Sequence, residues 1–152
     1  MAWRPREEQY GNIYDHVYAD YVHPNGVHMS AHCRQYPANC AVPGTNRNMI
    51  AGTKGRSTGN DLGTTKGIDP RVHVHMVLVK SIRGNSPYVN LGMPVAESTM
   101  TAIMGRESAY SGVEITWDMI MNSKQDLQPK AFDYKLKMEV RPVPAPGRYG
   151  FV

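Results

Sequence analysis

The sequence lacks a hydrophobic run long enough to cross a bilayer. Its longest uninterrupted apolar stretch is Met76-Val77-Leu78-Val79, whereas a membrane-spanning helix needs about 18 to 20 apolar residues. The first eight residues are charged and lack the apolar centre of a secretory signal. We therefore expect a cytoplasmic protein with no membrane partner.

Cysteine and clustered positive charge are also scarce. The chain of 152 residues has two cysteines, Cys33 and Cys40, too few for a disulfide framework. The 17 Lys and Arg residues exceed the 13 acidic residues by four, but they are scattered and do not interleave with aromatic residues as in single-strand binders. We expect no nucleic-acid partner.

No Gly-x-Gly-x-x-Gly fingerprint of a dinucleotide-binding fold occurs anywhere in the chain. Gly52-Thr53-Lys54-Gly55 resembles a fragment of a phosphate-binding loop, but it lacks the full spacing and no helix-forming stretch follows it. We interpret it as a tight turn with an exposed Lys54. A chain of this length cannot hold both a nucleotide domain and a catalytic domain.

What the sequence does contain is a mixture of strand and helix patterns. Residues 13–21 and 27–34 favour two strands, and Pro24-Asn25-Gly26 between them predicts a hairpin turn. The alternation in 27–34 places Cys33 on a buried apolar face and His28, His32 and Arg34 on the other. Residues 132–140 alternate apolar with charged side chains and predict a strand with one buried face.

The helix patterns lie in the second half of the chain. Residues 94–110 predict a helix that Gly112 closes, and Thr116 is expected to cap a brief helix. Residues 72–77 alternate like a strand, yet Asp69, Pro70 and Gly84 are typical helix boundaries. On the pattern alone this segment fits either structure.

These elements predict an α+β fold: an open, mostly antiparallel β-sheet with two or three helices packed on one face. We expect residues 1–12 to be an irregular N-terminal segment and residues 13–152 to form a single domain.

Histidine and carboxylate residues provide the candidate chemistry. His28 and His32 on one strand would lie about 13 Å apart, too far to bind one metal ion directly, so we expect no metal site even with Cys33, His73 or His75 nearby. Asp15 and His16 are an acid beside a base, but neighbouring residues on a strand point to opposite faces, which argues against a catalytic pair. A single His16 lining a sugar pocket is the stronger hypothesis.

Residues 97–106 read Glu-Ser-Thr-Met-Thr-Ala-Ile-Met-Gly-Arg, followed by Ala-Tyr-Ser-Gly at 109–112, Ile-Thr-Trp-Asp at 115–118 and Asn-Ser at 122–123. Together these motifs resemble the C-terminal end of the bacterial glucose-fructose oxidoreductase/inositol dehydrogenase/MocA family. Similar motifs occur upstream in the family's order, at residues 10–16, 21–27, 33–35, 52–55 and 79–84. The resemblance covers about residues 10–150.

The resemblance implies a helix at about residues 70–83 and a large open sheet that often makes dimer or tetramer contacts. It also implies hydride transfer between NAD(P) and sugars or polyols by the whole enzyme. The family's nucleotide-binding Rossmann half and its Glu-Lys-Pro-type motif with the catalytic lysine lie upstream of the matched region. We therefore expect no cofactor bound by this chain alone, and no residue carries over as catalytic.

Three functions are compatible with these features. The first is a truncated or stand-alone C-terminal domain that oligomerises through its sheet or binds a sugar, with His16, Arg34 and Gln35 as the residues expected to bind substrate. The second is a subunit that completes an oxidoreductase with a separate Rossmann chain. The third is a repurposed sugar lyase or isomerase that uses His16 or the His28/His32 face. Loss of a partner domain is expected to leave apolar surface exposed and to favour a homo-oligomer.

Overall fold

The computed structural model describes residues 2–3, 11–35, 47–58 and 67–152, with the backbone alone described for residues 2 and 3. Over these residues the chain forms five strands and three α-helices, which confirms the α+β fold class. The strands are β1 (Ala2–Trp3), β2 (His16–Val22), β3 (His28–Arg34), β4 (Ile50–Gly52) and β5 (Gly55–Ser57); the helices are α1 (Pro70–Ile82), α2 (Gly92–Ser111) and α3 (Trp117–Met121). None of these helices is long and apolar enough to span a membrane.

The chain divides into two compact units. The first contains residues 1–38 and 94–152, and the second contains residues 39–93. Residues 13–152, taken above as one domain, are therefore distributed over both units. Within the segment predicted to be irregular, Ala2 and Trp3 form β1 and pair with β2.

The first unit is built on an antiparallel sheet of order β1-β2-β3. The hairpin predicted from Pro24-Asn25-Gly26 is confirmed: Asn25 and Gly26 have φ values of 70° and 72°, and β2 pairs with β3 from His16↔Arg34 to Val22↔His28. Asn and Gly tolerate this left-handed conformation, which is why the chain reverses here.

Helix α2 lies against the face of β2 that carries Ala19 and Tyr21. The hydroxyl of Tyr21 donates a hydrogen bond to the Thr101 carbonyl of α2, at 3.1 Å. The buried apolar side chains among the described residues lie near the end of this helix and just beyond it: Ala109, Tyr110, Ile115 and Ile120. The predicted cap of α3 is confirmed, since the Thr116 hydroxyl accepts a hydrogen bond from the Met119 amide at 3.2 Å.

The second unit contains the β4–β5 hairpin and helix α1. Asp69 caps α1 by accepting a hydrogen bond from the Arg71 amide at 2.8 Å, and Pro70 occupies the first turn. The helix implied at residues 70–83 is therefore confirmed, and the ambiguous alternation at 72–77 is helical. No side chain of α1 is buried among the described residues, although the helix carries apolar groups such as Val74 and Leu78.

Two predictions about the sheet are wrong. Residues 132–140 form no strand, and Phe132 and Tyr134 are 88% and 110% exposed. Alternation shows that one side of a segment is suited to burial, but a strand also needs a partner backbone, and within the described ranges this segment has none. The burial predicted for Cys33 is also wrong: Cys33 is exposed, as is every residue of β3. The contact between the sheet and α2 is made by Tyr21 of β2.

Candidate functional site

The three residues predicted to bind substrate lie together at the end of the β2–β3 hairpin opposite its turn. His16 begins β2 and Arg34 ends β3, and the two are direct partners in the antiparallel register. The Gln35 amide donates a hydrogen bond to the Asp15 carbonyl at 2.8 Å, which extends the pairing by one step. Directly opposed residues have Cβ atoms about 5 Å apart and share a face, so His16 and Arg34 present their side chains side by side.

Asp15 and His16 are in direct contact, which corrects the argument that they point to opposite faces. The distance between His16 Nδ1 and Asp15 Oδ1 is 2.7 Å. The alternation rule does not apply because β2 begins at His16 and Asp15 lies in a bend just before it. The Asp15 side chain is 6% exposed and that of His16 is 27% exposed, so the carboxylate lies behind a more accessible imidazole.

This arrangement has a definite hydrogen-bonding capacity. A carboxylate on Nδ1 favours the tautomer that carries its proton there, which makes Nε2 the ring nitrogen with an acceptor lone pair. The Arg34 guanidinium contributes only donors, whereas the side-chain amide of Gln35 has both donors and an acceptor. A vicinal pair of hydroxyl groups needs just this combination of donors and acceptors. We call Asp15, His16, Arg34 and Gln35 the hairpin-end cluster.

The other histidines of the hairpin make separate contacts. His28 Nδ1 lies 3.2 Å from Asp20 Oδ2, and the Ser30 hydroxyl donates to Asp20 Oδ1 at 2.8 Å. The hydrogen bonds from Ser30 and His28 hold the pKa of Asp20 below its usual value of 3.8. His32 packs edge-on against Tyr18, with ring centroids 4.5 Å apart.

The remaining metal and nucleotide candidates are the histidines of α1, the glycine segment at 52–55 and Cys40. Among the described residues no group of three His, Cys, Asp or Glu side chains is placed to hold a metal ion. His73 and His75 lie on α1 in the second unit. The glycine segment at 52–55 turns between β4 and β5, with Gly52 paired to Gly55. A strand follows this turn, whereas a phosphate-binding loop leads into a helix N-terminus. Cys40 lies outside the described residues.

Sequence reasoning missed a groove along β2. It has a volume of about 1000 Å³ and is formed by residues 18–24, one face of α2 and residues 114–117. Its lining includes apolar residues such as Met104, Ile115 and Trp117 and three acidic residues, Asp20, Glu97 and Glu114. We call this the β2 groove; because residues 18–24 are more than 70 positions from the α2 residues that line it, no local motif indicates it.

A buried polar cluster around Glu107 was also missed. Glu107 is 1% exposed and lies on α2. Its carboxylate accepts hydrogen bonds from the Tyr149 hydroxyl at 2.6 Å, from Gln125 Nε2 at 3.0 Å and from Arg106 Nε at 2.8 Å. Because Gln125 and Tyr149 are 18 and 42 positions away from Glu107, the cluster ties two later segments to α2. We interpret it as structural, since its hydrogen bonds hold elements of the fold together.

Comparisons with known proteins found no match: no protein-family model, no curated protein and no solved structure is similar to this chain at a significant level.

Proposed function

We propose that this chain is a self-associating domain that binds a sugar or related polyol at the hairpin-end cluster, as the resemblance to the sheet domain of sugar oxidoreductases implies. The observation that carries the proposal is that the backbones of His16, Arg34 and Gln35 lie together at one end of the β2–β3 hairpin. Two of them are strand partners, and the third is hydrogen-bonded through its backbone to the residue that contacts His16. These residues are 18 and 19 positions apart in sequence.

The chemistry of the cluster suits a neutral polyol. Each hydroxyl group both donates and accepts, so it pairs with an acceptor such as Nε2 of His16 and a donor such as the Arg34 guanidinium. The buried Asp15 carboxylate supports this by fixing the imidazole, which reduces the side-chain entropy lost on binding. The exposed free thiol of Cys33 fits a reducing compartment, so a cytoplasmic location belongs to the same proposal.

The test measures the binding of a panel of hexoses and cyclic polyols by calorimetry and by backbone NMR shifts. We expect shifts at residues 14–17 and 33–35. His16→Gln and Arg34→Gln are expected to weaken binding about tenfold or more, which corresponds to about 1.4 kcal/mol. Asp15→Asn keeps the size of the side chain but removes its charge, and it is expected to have a smaller effect in the same direction.

His23→Gln is the matched control, because His23 is an exposed histidine at the opposite end of the hairpin. Equal weakening by His23→Gln and His16→Gln would contradict the assignment of the site. Absence of binding by the unmodified chain to every sugar in the panel would contradict the proposed ligand class. Recovery of an isomerised sugar would favour lyase or isomerase chemistry with the Asp15–His16 pair as general base.

A second candidate is a subunit that completes an oxidoreductase with a separate nucleotide-binding chain. The observation that favours it is α1, whose apolar residues point to all sides while none of them is buried among the described residues. Helices that are apolar on all sides are normally buried in a larger protein. Titration of NADH and NADPH by calorimetry tests this candidate. Under this hypothesis the dinucleotides bind only when the second chain is present. Binding to this chain alone would contradict both candidates.

A further inference from the structure

The β2 groove lies entirely within the first unit, and hydrogen bonds hold its walls in place. The Tyr21 hydroxyl of β2 donates to the Thr101 carbonyl of α2 at 3.1 Å. At the end of α2 the Ser108 hydroxyl donates to the Val113 carbonyl at 2.8 Å, which ties the segment that carries Glu114 back to the helix. The groove, at about 1000 Å³, has the size of a large small-molecule site whose walls are already formed.

One face of α2 forms a wall of the groove. Its lining positions are Glu97, Thr101, Met104, Gly105 and Ser108. At 3.6 residues per turn these positions fall within an arc of about 100°, so they form a single stripe along about three turns of the helix. Thr101 and Gly105 of this stripe contact Tyr21 of β2. Glu97 therefore lies on the side of the helix that faces the groove.

The charge of the groove is opposite to that of the whole chain. The chain has a net charge of +4, yet none of the described residues that line the groove is Lys or Arg, and three of them are acidic. The carboxylate of Asp20 is bound by Ser30 and His28, on the face of the sheet opposite to α2. Glu97 and Glu114 are exposed, and among the described residues neither forms a salt bridge. These two side chains therefore provide the negative charge of the groove.

The lining also offers contacts to an apolar molecule. Ile115 is 7% exposed and so belongs to the core, while Trp117 is 39% exposed. Indole is the aromatic ring that binds a cation most strongly, and Met104 adds a flexible apolar side chain that adapts to different shapes. A ligand that suits this lining has an apolar body and a positive group.

We propose that the β2 groove binds a small organic cation with an apolar body, such as an amine that carries an aromatic ring. Glu97 and Glu114 attract its positive group, and Trp117 stabilises the same charge through its ring. A neutral polyol has no charge to pair with these glutamates, so the groove is a second site, separate from the hairpin-end cluster.

The experiment compares three probes with the same body and different charges: phenylpropylamine, phenylpropanol and phenylpropionate at neutral pH. Calorimetry measures their affinities, and the NMR signal of the Trp117 indole N–H reports where they bind. We expect the amine to bind about fivefold more tightly than the alcohol, since exposed ion pairs and cation–π contacts contribute modestly. We expect the carboxylate to bind most weakly, and the preference for the amine to diminish at high salt.

Replacement of both glutamates tests the source of this preference. Glu97→Gln with Glu114→Gln keeps the shape of the side chains and removes their charge, so it is expected to weaken amine binding about fivefold and to leave alcohol binding unchanged. Both residues are exposed, so the fold is expected to persist. Asp126→Asn with Glu139→Gln is the matched control, because it makes the same change in net charge at exposed residues outside the groove.

Three outcomes would overturn the inference. Equal affinities for the three probes would show that the groove does not select a positive charge. Equal weakening of amine binding by the control pair would show that the net charge of the chain is responsible. Failure of the amine to bind at millimolar concentration, or binding that leaves the Trp117 signal unchanged, would show that the groove is not its site. Sugar binding is measured separately and is expected to survive the glutamate substitutions, so neither proposal depends on the other.

Discussion

A β-carbon built on Gly105 of α2 would lie 2.9 Å from Cζ of Tyr21 and 3.2 Å from the Cβ of Ala19, and still closer to the Tyr21 hydroxyl oxygen. Gly105 is thus a point of close approach between α2 and β2. The contact positions the hydroxyl of Tyr21 to donate to the Thr101 carbonyl one turn earlier in the helix. The absence of a side chain at residue 105 sets the spacing between the helix and the strand that forms the inner wall of the β2 groove.

Gly105→Ala is therefore expected to destabilise the fold. Alanine gains about 1 kcal/mol of helix propensity over glycine, but overpacking costs about 1 to 3 kcal/mol, so we expect a net loss of about 1 kcal/mol in the free energy of unfolding. Urea denaturation measures the difference. Gly150→Ala is the control, because a β-carbon there meets nothing within 4 Å; equal stability of the two variants would contradict the steric argument.

Substitution of Glu107 tests the buried cluster. Glu107→Gln keeps the shape of the side chain but places an amide group where Tyr149, Gln125 and Arg106 now donate to a carboxylate. Since buried donors would lose their acceptor, we expect a loss of about 2 to 3 kcal/mol in the free energy of unfolding. Glu97→Gln makes the same change at an exposed site of the same helix and is expected to change stability by less than about 0.5 kcal/mol.

Replacement of Gly26 tests the turn of the hairpin. Gly26 has a φ of 72°, and alanine is strained in this conformation, so Gly26→Ala is expected to cost about 1 kcal/mol. Faster hydrogen exchange of the amides of β2 and β3 would reveal the weakened hairpin. Gly52→Ala in the other hairpin is the control, since Gly52 has no positive φ and open space around it; the same loss there would show that the effect is not specific to the turn.

The elements that could be predicted from the sequence are those specified by local chemistry. Asn25 and Gly26 specify their turn, and Asp69 and Thr116 cap their helices, because each acts on groups within a few residues. The strand predicted at 132–140 is wrong because local alternation does not supply a pairing partner. The burial predicted for Cys33 is wrong for a related reason: alternation assigns a side chain to a face, but whether that face is buried depends on whether a helix covers it.

The candidate site was predictable in part. His16, Arg34 and Gln35 match positions in strands of the resembling family, and the predicted hairpin brings them to one end; their role in substrate binding stays a prediction. The contact between Asp15 and His16 was missed because the exact start of β2 decides whether neighbouring side chains diverge. The β2 groove and the Glu107 cluster join segments far apart in sequence, so they depend on tertiary packing that no local pattern encodes.

The last prediction concerns alkaline pH. Burial raises the pKa of Tyr149 above its ordinary value of 10.0, and the hydrogen bond and negative charge of Glu107 raise it further. In the unfolded chain this phenol loses its proton near pH 10 while the folded chain still retains it, so the folded state binds more protons and its stability falls as the pH rises. The contribution is fully present below about pH 9 and is lost as the pH rises through the raised pKa.

We therefore expect the free energy of unfolding to decline above about pH 9, and the decline to be shallower in Tyr149→Phe, which has no phenol to ionise. Tyr21, whose pKa burial also raises, accounts for part of the slope that remains. Denaturation at a series of pH values measures the slope, and tyrosinate absorbance follows the ionisation directly. Tyr134→Phe is the matched control because Tyr134 is fully exposed; identical slopes in the two variants would show that the buried phenol next to Glu107 does not govern alkaline unfolding.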